Sequence, residues 1–325
     1  MALMLREAEV AELATMDVAL QAMSDIFRLE GEGLTGESGR FNIPNDRGWL
    51  RIMSVAVPGL GAFGFKAMNL TQGVGVRYAV WVYDTATGAL RGIVDARVVT
   101  AMRTAAATAV ATAELARTNV ERTAIIGTGA EARTHLQAMQ AVRPAPKVMV
   151  YSRSPANRAT FVEEMSPTVD AELVACASVD EAVANADLVV LATKSPEPVL
   201  FARHLQPGMH VNSIGSARAD QYELAVDTFA RFGVVVCDST GHVFGEAGDA
   251  IAATKEGDYA VDGAVDLADL LVGKARGRTR DADLTLYKSV GTATQDIALA
   301  SRLLDLATAA GRGFDLGDFP ELKAF

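Results

Sequence analysis

The chain has 325 residues, of which half are hydrophobic and 22% are charged, so it is long enough for two folded domains and too apolar for a disordered protein. Its net charge of −10, without a visible basic stripe, argues against a nucleic acid as partner. No apolar run reaches the roughly 20 residues that cross a bilayer, and acidic residues follow Arg6 too early for a signal peptide. With both cysteines in apolar runs, these features predict a cytoplasmic protein that has no membrane partner.

The first part of the chain predicts a mixed α/β region. Apolar spacing predicts a helical opening over residues 6–31, and short apolar runs broken by Gly and Pro predict antiparallel strands between residues 40 and 94. The stretch 98–116 is rich in Ala and Thr and contains no Gly or Pro, which predicts a long buried helix.

From residue 123 onward, apolar runs alternate with helix-like stretches. The runs expected to be strands are residues 123–126, 148–151, 188–193, 210–214 and 234–237. This alternation indicates a parallel sheet covered by helices on both faces, and right-handed crossovers make the sheet doubly wound. A last predicted helix over residues 294–309 is expected to pack back on the first part of the chain. We therefore predict an α/β fold in which a Rossmann domain (118–292) is inserted in a smaller α+β domain (1–117 and 293–325).

A glycine-rich turn joins the first Rossmann strand to the helix that follows it. The turn reads Gly127-Thr128-Gly129-Ala130-Glu131-Ala132 and matches the pattern G-x-G-x-x-G/A. Gly127 allows the tight turn, Gly129 lets the backbone approach a pyrophosphate, and the small Ala132 lets the helix pack closely on the strand. An ordinary glycine-containing turn is the alternative. The strand before and the helix after favour a phosphate-binding turn formed by all six residues, and so predict binding of a nicotinamide dinucleotide.

The end of the second Rossmann strand distinguishes NADP from NAD. Folds that prefer NAD usually carry Asp or Glu there, whereas this chain carries Ser152, Arg153 and Ser154, with Arg158 one helical turn further on. The two arginines could pair with a 2′-phosphate, and Ser154 could donate a hydrogen bond to it. Solvated surface arginines are the alternative interpretation. We expect NADP as the cofactor, with NAD as the second possibility.

Seven short segments occur in an order and spacing that resemble the ornithine cyclodeaminase/mu-crystallin family over essentially the whole chain. The segments are residues 40–44, 64–66, 84–88, 102–107, 127–132, 246–249 and 288–291. The resemblance implies that the smaller domain binds the substrate and forms a homodimer. It also implies hydride transfer between a nicotinamide and the α-carbon of an amino or imino acid.

By the same resemblance, Arg40, Lys66 and Arg103 match the family's cationic residues that hold the substrate carboxylate, and Lys66 is the expected catalytic residue. Oriented cations suit a carboxylate, because an arginine can bind it through two hydrogen bonds. Lys66 lies between apolar neighbours, where a lysine is costly unless it is paired or functional. Arg40 lies in a polar stretch that reads as a loop, where a solvent-exposed arginine is the alternative. For Arg103 the alternative is a packed cation.

Three further positions complete the expected cofactor site. Val290 and Gly291 match, by the resemblance, the position whose backbone contacts the nicotinamide amide. Thr193 ends the predicted strand 188–193, at the sheet edge where a dinucleotide crosses, and a hydroxyl that caps the next turn is the alternative. The histidines are scattered without metal-ligand spacing, so we expect no metal site.

One departure from the family pattern narrows the expected function. The cyclodeaminase branch carries an aspartate two residues after the glycine that follows the strand at 210–214, but this chain has Ala217 there, with Asp220 three residues further on. Alanine can neither move a proton nor hold an ammonium, and the pattern is similar to that of the mu-crystallin branch, whose members reduce cyclic ketimines. We expect an NAD(P)H-dependent imine (ketimine) reductase or amino-acid dehydrogenase that acts on a small carboxylate-bearing imino or amino acid. The alternatives are an ornithine cyclodeaminase, which forms proline and ammonia with recycled NAD, and a non-catalytic NADP-binding protein.

Overall fold

The computed structural model describes residues 2–36 and 39–323. The chain divides into two compact units, which we call the terminal unit (Met1–Arg103 with Thr292–Phe325) and the inserted unit (Thr104–Gly291). The boundary between Arg103 and Thr104 falls inside a long helix, Ala96–Leu115. The boundary expected after residue 117 would instead have kept that helix whole in the smaller domain.

Most helices and strands follow one another closely, and the longest connections between them are residues 192–209, 214–233 and 272–284. As far as the first long helix, the elements are β1 (Ala2–Leu5), α1 (Glu7–Leu13), α2 (Met16–Gly31), β2 (Gly39–Asn45), β3 (Gly48–Val57), β4 (Ala62–Thr71), β5 (Gly75–Asp84), β6 (Leu90–Asp95) and α3 (Ala96–Leu115). The elements after it are β7 (Arg122–Ile126), α4 (Ala130–Val142), β8 (Lys147–Tyr151), α5 (Pro155–Met165), β9 (Glu172–Ala175), α6 (Val179–Val183), β10 (Leu188–Leu191), β11 (His210–Ser213), β12 (Val234–Cys237), α7 (Thr240–Glu246), α8 (Gly248–Glu256), β13 (Ala264–Asp266), α9 (Leu267–Leu271), β14 (Thr285–Lys288), α10 (Ala293–Ala310) and β15 (Phe314–Gly317). Within the described ranges, none of these helices combines the length and the apolar character that a membrane span requires.

The terminal unit is built on a sheet against which α10 packs. The strand order is β15-β1-β6-β5-β4-β3-β2, and the pairs from β2 to β6 are antiparallel, as predicted. Two glycines allow the close approach of α10: an added Cβ would lie 3.0 Å from Ile297 at Gly64 and 2.5 Å from Leu304 at Gly92. The helical opening expected over residues 6–31 is confirmed. It consists of two helices, α1 and α2, because Thr15 caps the start of α2 with its hydroxyl oxygen.

The inserted unit is a doubly wound parallel sheet, which confirms the predicted fold class. Its strand order is β13-β12-β14-β11-β10-β7-β8-β9, and neighbouring strands run parallel throughout. The chain proceeds from β7 outward through β8 and β9 and then returns to the other side of β7 as β10. Such a sheet binds its ligand at the carboxyl ends of the strands where the order reverses, here β7 and β10.

One buried histidine belongs to the interior of the inserted unit. The ring of His210 is fully buried and hydrogen-bonds to Thr285 Oγ1 at 2.8 Å and to Asn212 Oδ1 at 3.1 Å. Burial, together with the positive charge of Arg278, lowers the pKa of His210 to about 3. Its imidazole is therefore neutral near pH 7 and serves the packing. Among the residues that the structure describes, no group of His, Cys, Asp and Glu is placed to hold a metal ion.

Candidate active site

Lys66 lies at the centre of a buried charged cluster in the terminal unit. It projects from β4 and is only 1% exposed. Its ammonium donates hydrogen bonds to Thr100 Oγ1 at 2.8 Å and to Asp296 Oδ1 at 3.0 Å, and it lies 5.1 Å from the ring centroid of Tyr78. A buried ammonium is stable only with partners of this kind, and here they hold it in one place.

Arg103, on α3, shares the same carboxylate. Its Nε donates to Asp296 Oδ1 at 3.1 Å, and its Nη1 donates to Gln295 Oε1 at 2.9 Å. Two cations therefore share one carboxylate. Asp296 is fully buried, and its second oxygen, Oδ2, has no hydrogen-bond partner among the described residues. A buried lysine and a buried arginine that are held in place in this way are suited to bind the carboxylate of a ligand.

Arg40 shares the sheet face of Lys66. The loop expected at Arg40 is wrong, because residues 39–45 pair with β3 and form β2. The register places Arg40 opposite Met53, and Met53 opposite Lys66. Directly opposed residues project from the same face, so the side chains of Arg40 and Lys66 leave the sheet on one face, and their Cα atoms lie two strand spacings apart, roughly 10 Å. The structure thus places all three predicted substrate residues in one unit.

The anionic and amide partners of these cations were not predicted from the sequence. Gln295 and Asp296 lie in the first turn of α10, and both are fully buried. The available signal was a charged residue within a helix of Ala, Ile and Leu, since a buried charge requires a buried partner. That signal does not reveal which distant cation the partner is.

The glycine turn in the inserted unit joins β7 to α4. Gly127 has a φ of +123°, and a Cβ there would lie 2.3 Å from the carbonyl oxygen of Ala192, so only glycine fits. Gly129 is the N-cap of α4 with a φ of −77°, and a Cβ added to it would meet no heavy atom within 4 Å. Open space in front of bare backbone, at the start of a helix whose first N–H groups point outward, fits a pyrophosphate.

The other residues of the turn differ in what they can offer a dinucleotide. Ala132 is fully buried, as close packing of α4 on the sheet requires, whereas Thr128 is half-buried and Ala130 is exposed. The backbone carbonyl of Glu131 lies 2.7 Å from the Nδ1 of His135. A carboxylate would repel a phosphate, so Glu131 could contribute its backbone N–H and not its side chain.

The segment after β8 carries the residues expected at the adenine end of the cofactor. Arg153 is exposed, while Arg158 donates to the carbonyl of Ser152 and stacks over Tyr151, with the guanidinium 5.4 Å from the ring centroid. Ser154 is the N-cap of α5, and its hydroxyl oxygen accepts an N–H of the first turn. Its hydroxyl proton can still be donated to an anion.

Two carboxylates that the sequence analysis did not single out hold the remaining expected cofactor residues. Thr193 follows β10, and both its N–H and its hydroxyl donate to Glu223 Oε1, at 2.6 and 2.9 Å. Val290 and Gly291 follow β14, and their N–H groups donate to Asp238 Oδ2 at 3.2 and 2.6 Å. Any contact from the latter segment to a nicotinamide amide would therefore come from a carbonyl oxygen. Both loops lie at the same edge of the sheet as the glycine turn.

Comparison with known proteins identifies the family. The profile of the ornithine cyclodeaminase/mu-crystallin family matches residues 1–310. The chain belongs to this family. It is 32% identical over 276 residues to a Delta(1)-pyrroline-2-carboxylate reductase of Bacillus cereus, covering 83% of this chain and 85% of that protein. It is 30% identical over 227 residues to the ketimine reductase mu-crystallin of Mus musculus, covering 70% of this chain and 68% of that protein.

A solved structure of the family is similar in fold over almost the entire chain. The Delta(1)-pyrroline-2-carboxylate reductase of Thermococcus litoralis, in complex with NADH and L-proline, superposes with a TM-score of 0.91 at 30% identity. The match covers 97% of this chain and 100% of that chain. The family and the fold predicted from the sequence are therefore both confirmed.

By the resemblance, position 217 is the one at which the cyclodeaminase branch carries an aspartate, and this chain has an alanine there. Ala217 is half-buried in the loop after β11. Asp220 is exposed and accepts two hydrogen bonds from the guanidinium of Arg218, at 2.9 and 2.7 Å. Asp220 is thus engaged in an ion pair at the surface, and the geometry offers no reason to assign it the role of the missing aspartate.

Proposed function

We propose that this protein is an NAD(P)H-dependent reductase of small imino acids. The observation that carries the proposal is the buried cluster in which Lys66 and Arg103 both bond to Asp296, because buried cations that are held in place suit a carboxylate ligand. The same chain carries the dinucleotide turn at Gly127. Relatives that are named for the reduction of pyrroline-2-carboxylate and of ketimines support the same reaction. A reduced nicotinamide, when bound, supplies a hydride to the imine carbon.

The side chains of the cluster would bind the substrate and supply a proton. The guanidinium groups of Arg103 and Arg40 are suited to hold the substrate carboxylate. Reduction of C=N to CH–NH consumes one hydride and one proton, and a protonated imine accepts the hydride more readily. Lys66 is held as an ammonium by Thr100 and Asp296, and it is the acid that we assign to this proton. An amino-acid dehydrogenase would use the same groups in the opposite direction.

Two observations favour this reaction over the alternatives. Ala217 cannot carry the proton or hold the ammonium that cyclisation of ornithine requires, which favours net reduction over cyclodeamination. A protein that only binds a dinucleotide would have no need for the buried pair of Lys66 and Asp296, because burial of an ion pair costs stability in the absence of a function.

We propose NADP(H) as the preferred cofactor. Residues 151–158 contain no Asp or Glu that would repel a 2′-phosphate. The exposed guanidinium of Arg153 and the hydroxyl proton of Ser154 could both contact such a group.

The reaction can be tested with a panel of carboxylate-bearing imines. We expect the protein to oxidise NADPH in the presence of pyrroline-2-carboxylate and to form an equal amount of proline. We expect kcat/KM to be about tenfold higher with NADPH than with NADH, because a paired 2′-phosphate contributes about 1.4 kcal/mol. The matched control substrate is 1-pyrroline, the same ring without the carboxylate, which should not be reduced because it offers nothing to the cations.

Three other results would contradict parts of this proposal. Ammonia and proline released from ornithine, without net change in the nicotinamide, would identify a cyclodeaminase. No turnover of pyrroline-2-carboxylate, piperideine-2-carboxylate or pyruvate with methylamine, alongside measurable dinucleotide binding, would identify a binding protein. Faster turnover with NADH than with NADPH would overturn the choice of cofactor alone.

We also propose a homodimer formed through the terminal unit. The sheet face opposite Lys66 is apolar and open: Phe41, Ile43 and Phe63 are 60%, 51% and 36% exposed, and Phe63 stacks on Tyr83. A second copy would cover this face. Light scattering should give twice the mass of one chain, and Phe63→Glu should give a monomer. The control is Leu322→Glu, which alters an exposed apolar side chain outside the face and should stay dimeric. A monomeric parent protein would contradict the proposal.

A further inference from the structure

The carboxylate of Glu223 is buried between the loops that follow β10 and β11. Its Oε1 accepts hydrogen bonds from the N–H and the hydroxyl of Thr193, at 2.6 and 2.9 Å. Its Oε2 accepts from the hydroxyl of Ser213 at 2.8 Å and from the N–H of Gly215 at 2.9 Å. All four hydrogen bonds are donated to the carboxylate, which uses the full accepting capacity of an ionised glutamate.

A buried ion pair between Lys288 and Asp249 lies beside this carboxylate. The ammonium of Lys288, itself fully buried, donates to Ser213 Oγ at 2.7 Å and to Asp249 Oδ2 at 3.0 Å. Asp249 Oδ2 in turn accepts the N–H of Glu223 at 3.1 Å. Burial raises the pKa of Glu223, while the charge of Lys288 and the donated hydrogen bonds oppose the shift. The network thus connects the loop after β10 to β14 through satisfied buried groups.

The two loops touch each other at Gly215. A Cβ at Gly215 would lie 1.8 Å from the carbonyl oxygen of Thr193 and 2.4 Å from Glu223 Oε1. Backbone from one loop therefore packs directly on backbone from the other. The position of Thr193 is set by this contact and by Glu223, and not by its own loop alone.

The hydroxyl of Thr193 has one proton, and it donates that proton to Glu223. With a ligand, this oxygen can therefore only accept a hydrogen bond. Ribose hydroxyls are donors, whereas phosphate oxygens are not. The adenine end is expected after β8, and β10 lies on the opposite side of β7 from β8, so the nicotinamide half of a dinucleotide would cross at β10.

We infer that Glu223 is a positioning residue of the cofactor site, which orients the hydroxyl of Thr193 so that it accepts a hydrogen bond from a ribose hydroxyl in the nicotinamide half of the dinucleotide. The inference rests on the proposed function, because it needs a dinucleotide at this edge. It assigns a task to a buried carboxylate that touches neither substrate nor cofactor itself.

Glu223→Gln tests the inference with almost no change in shape. In glutamine, an NH2 group, which is a hydrogen-bond donor, replaces one of the two carboxylate oxygens. This group would face two other donors, so either Thr193 or the pair of Ser213 and Gly215 would lose its acceptor. Calorimetric titration should show the Kd for NADPH raised on the order of tenfold. The Kd for adenosine 2′,5′-bisphosphate, which contains only the adenine half, should stay within about twofold.

Thr193→Val supplies the second measurement, because it removes the hydroxyl that Glu223 orients. It should reproduce the same selective loss for NADPH, and the double variant should bind NADPH no more weakly than the weaker single variant, since one contact cannot be lost twice. Thr228→Val is the matched control: it deletes a buried hydroxyl of the same unit, which donates to the carbonyl of Ala225, and should leave both affinities unchanged.

Two outcomes would overturn the inference while the proposed function stands. Equal weakening of NADPH and of the adenine fragment in Glu223→Gln would show a general structural role. Additive effects of Glu223→Gln and Thr193→Val would show that Glu223 does not act through Thr193. If Glu223→Gln does not fold, Glu223→Asp keeps the charge, withdraws the carboxylate by one methylene and is judged by the same criteria. A parent protein that binds neither ligand would instead refute the proposed function and the inference with it.

Discussion

Lys66→Met is expected to lower kcat/KM for imine reduction by about 1,000-fold, because it removes both the proton donor and one of the cations that face the substrate. Methionine has the same unbranched chain as lysine as far as the ε carbon, so it replaces the aliphatic part of the side chain on β4 and removes only the ammonium. The loss of the buried ammonium removes a partner of Asp296 and should reduce the free energy of unfolding by about 3 kcal/mol. Steady-state kinetics with pyrroline-2-carboxylate measure the first effect, and urea unfolding measures the second.

The control for this variant is Lys147→Met, which makes the same chemical change at a 36% exposed side chain paired with Glu172 at 3.4 Å. It should change neither turnover nor stability by a measurable amount, because exposed ion pairs contribute little. In Lys66→Met, the Kd for NADPH should remain within about twofold, because the glycine turn belongs to the other unit. Normal turnover in Lys66→Met would refute the role of Lys66.

Gly127→Ala and Gly129→Ala are expected to separate folding from cofactor binding. At Gly127, a φ of +123° and a Cβ only 2.3 Å from the carbonyl oxygen of Ala192 should reduce the free energy of unfolding by about 3 kcal/mol. At Gly129, the backbone is ordinary and the added Cβ meets no atom of the protein. The cost there should stay below about 1 kcal/mol, the usual difference between Gly and Ala at an N-cap.

For the binding of NADPH, the larger effect is expected in Gly129→Ala. The methyl group of Gly129→Ala would occupy the space through which a pyrophosphate reaches the backbone, so the Kd for NADPH should rise roughly 30-fold, which corresponds to about 2 kcal/mol. Each variant is the control of the other, measured by thermal unfolding and calorimetric titration. Unchanged NADPH affinity in a folded Gly129→Ala protein would contradict a pyrophosphate at this turn.

The local elements of the fold could be predicted from the sequence where burial leaves a periodic signal. The apolar run at residues 234–237 coincides with β12, and the glycine turn lies between β7 and α4 as expected. β14 was not predicted, because its four residues, Thr285 to Lys288, include a polar residue at each end. Lys288 is nevertheless fully buried, since Ser213 and Asp249 satisfy its ammonium. Lysine is usually exposed to water, but here partners that are distant in the chain make its burial possible.

The cations of the candidate site were predicted from the sequence, but their partners were not. Arg40, Lys66 and Arg103 were named through the resemblance, together with the expectation that a lysine among apolar residues must be paired. Asp296 was not named, because it lies 230 positions from Lys66 and 193 positions from Arg103 along the chain. Glu223 was not named either, because a single glutamate after a strand is ordinarily a surface residue.

By itself, the sequence determined the fold class, the family and the phosphate-binding turn, because these depend on periodic burial, on glycine at fixed spacing and on short motifs in order. Only the tertiary structure decided that one carboxylate, Asp296, is shared by two cations. The same is true of Glu223, which accepts the hydroxyl proton of Thr193 in a hydrogen bond. The physical reason is the same in both cases. The charge and the hydrogen-bonding capacity of a side chain can be read from its type, but burial in the folded chain determines which partner must satisfy them.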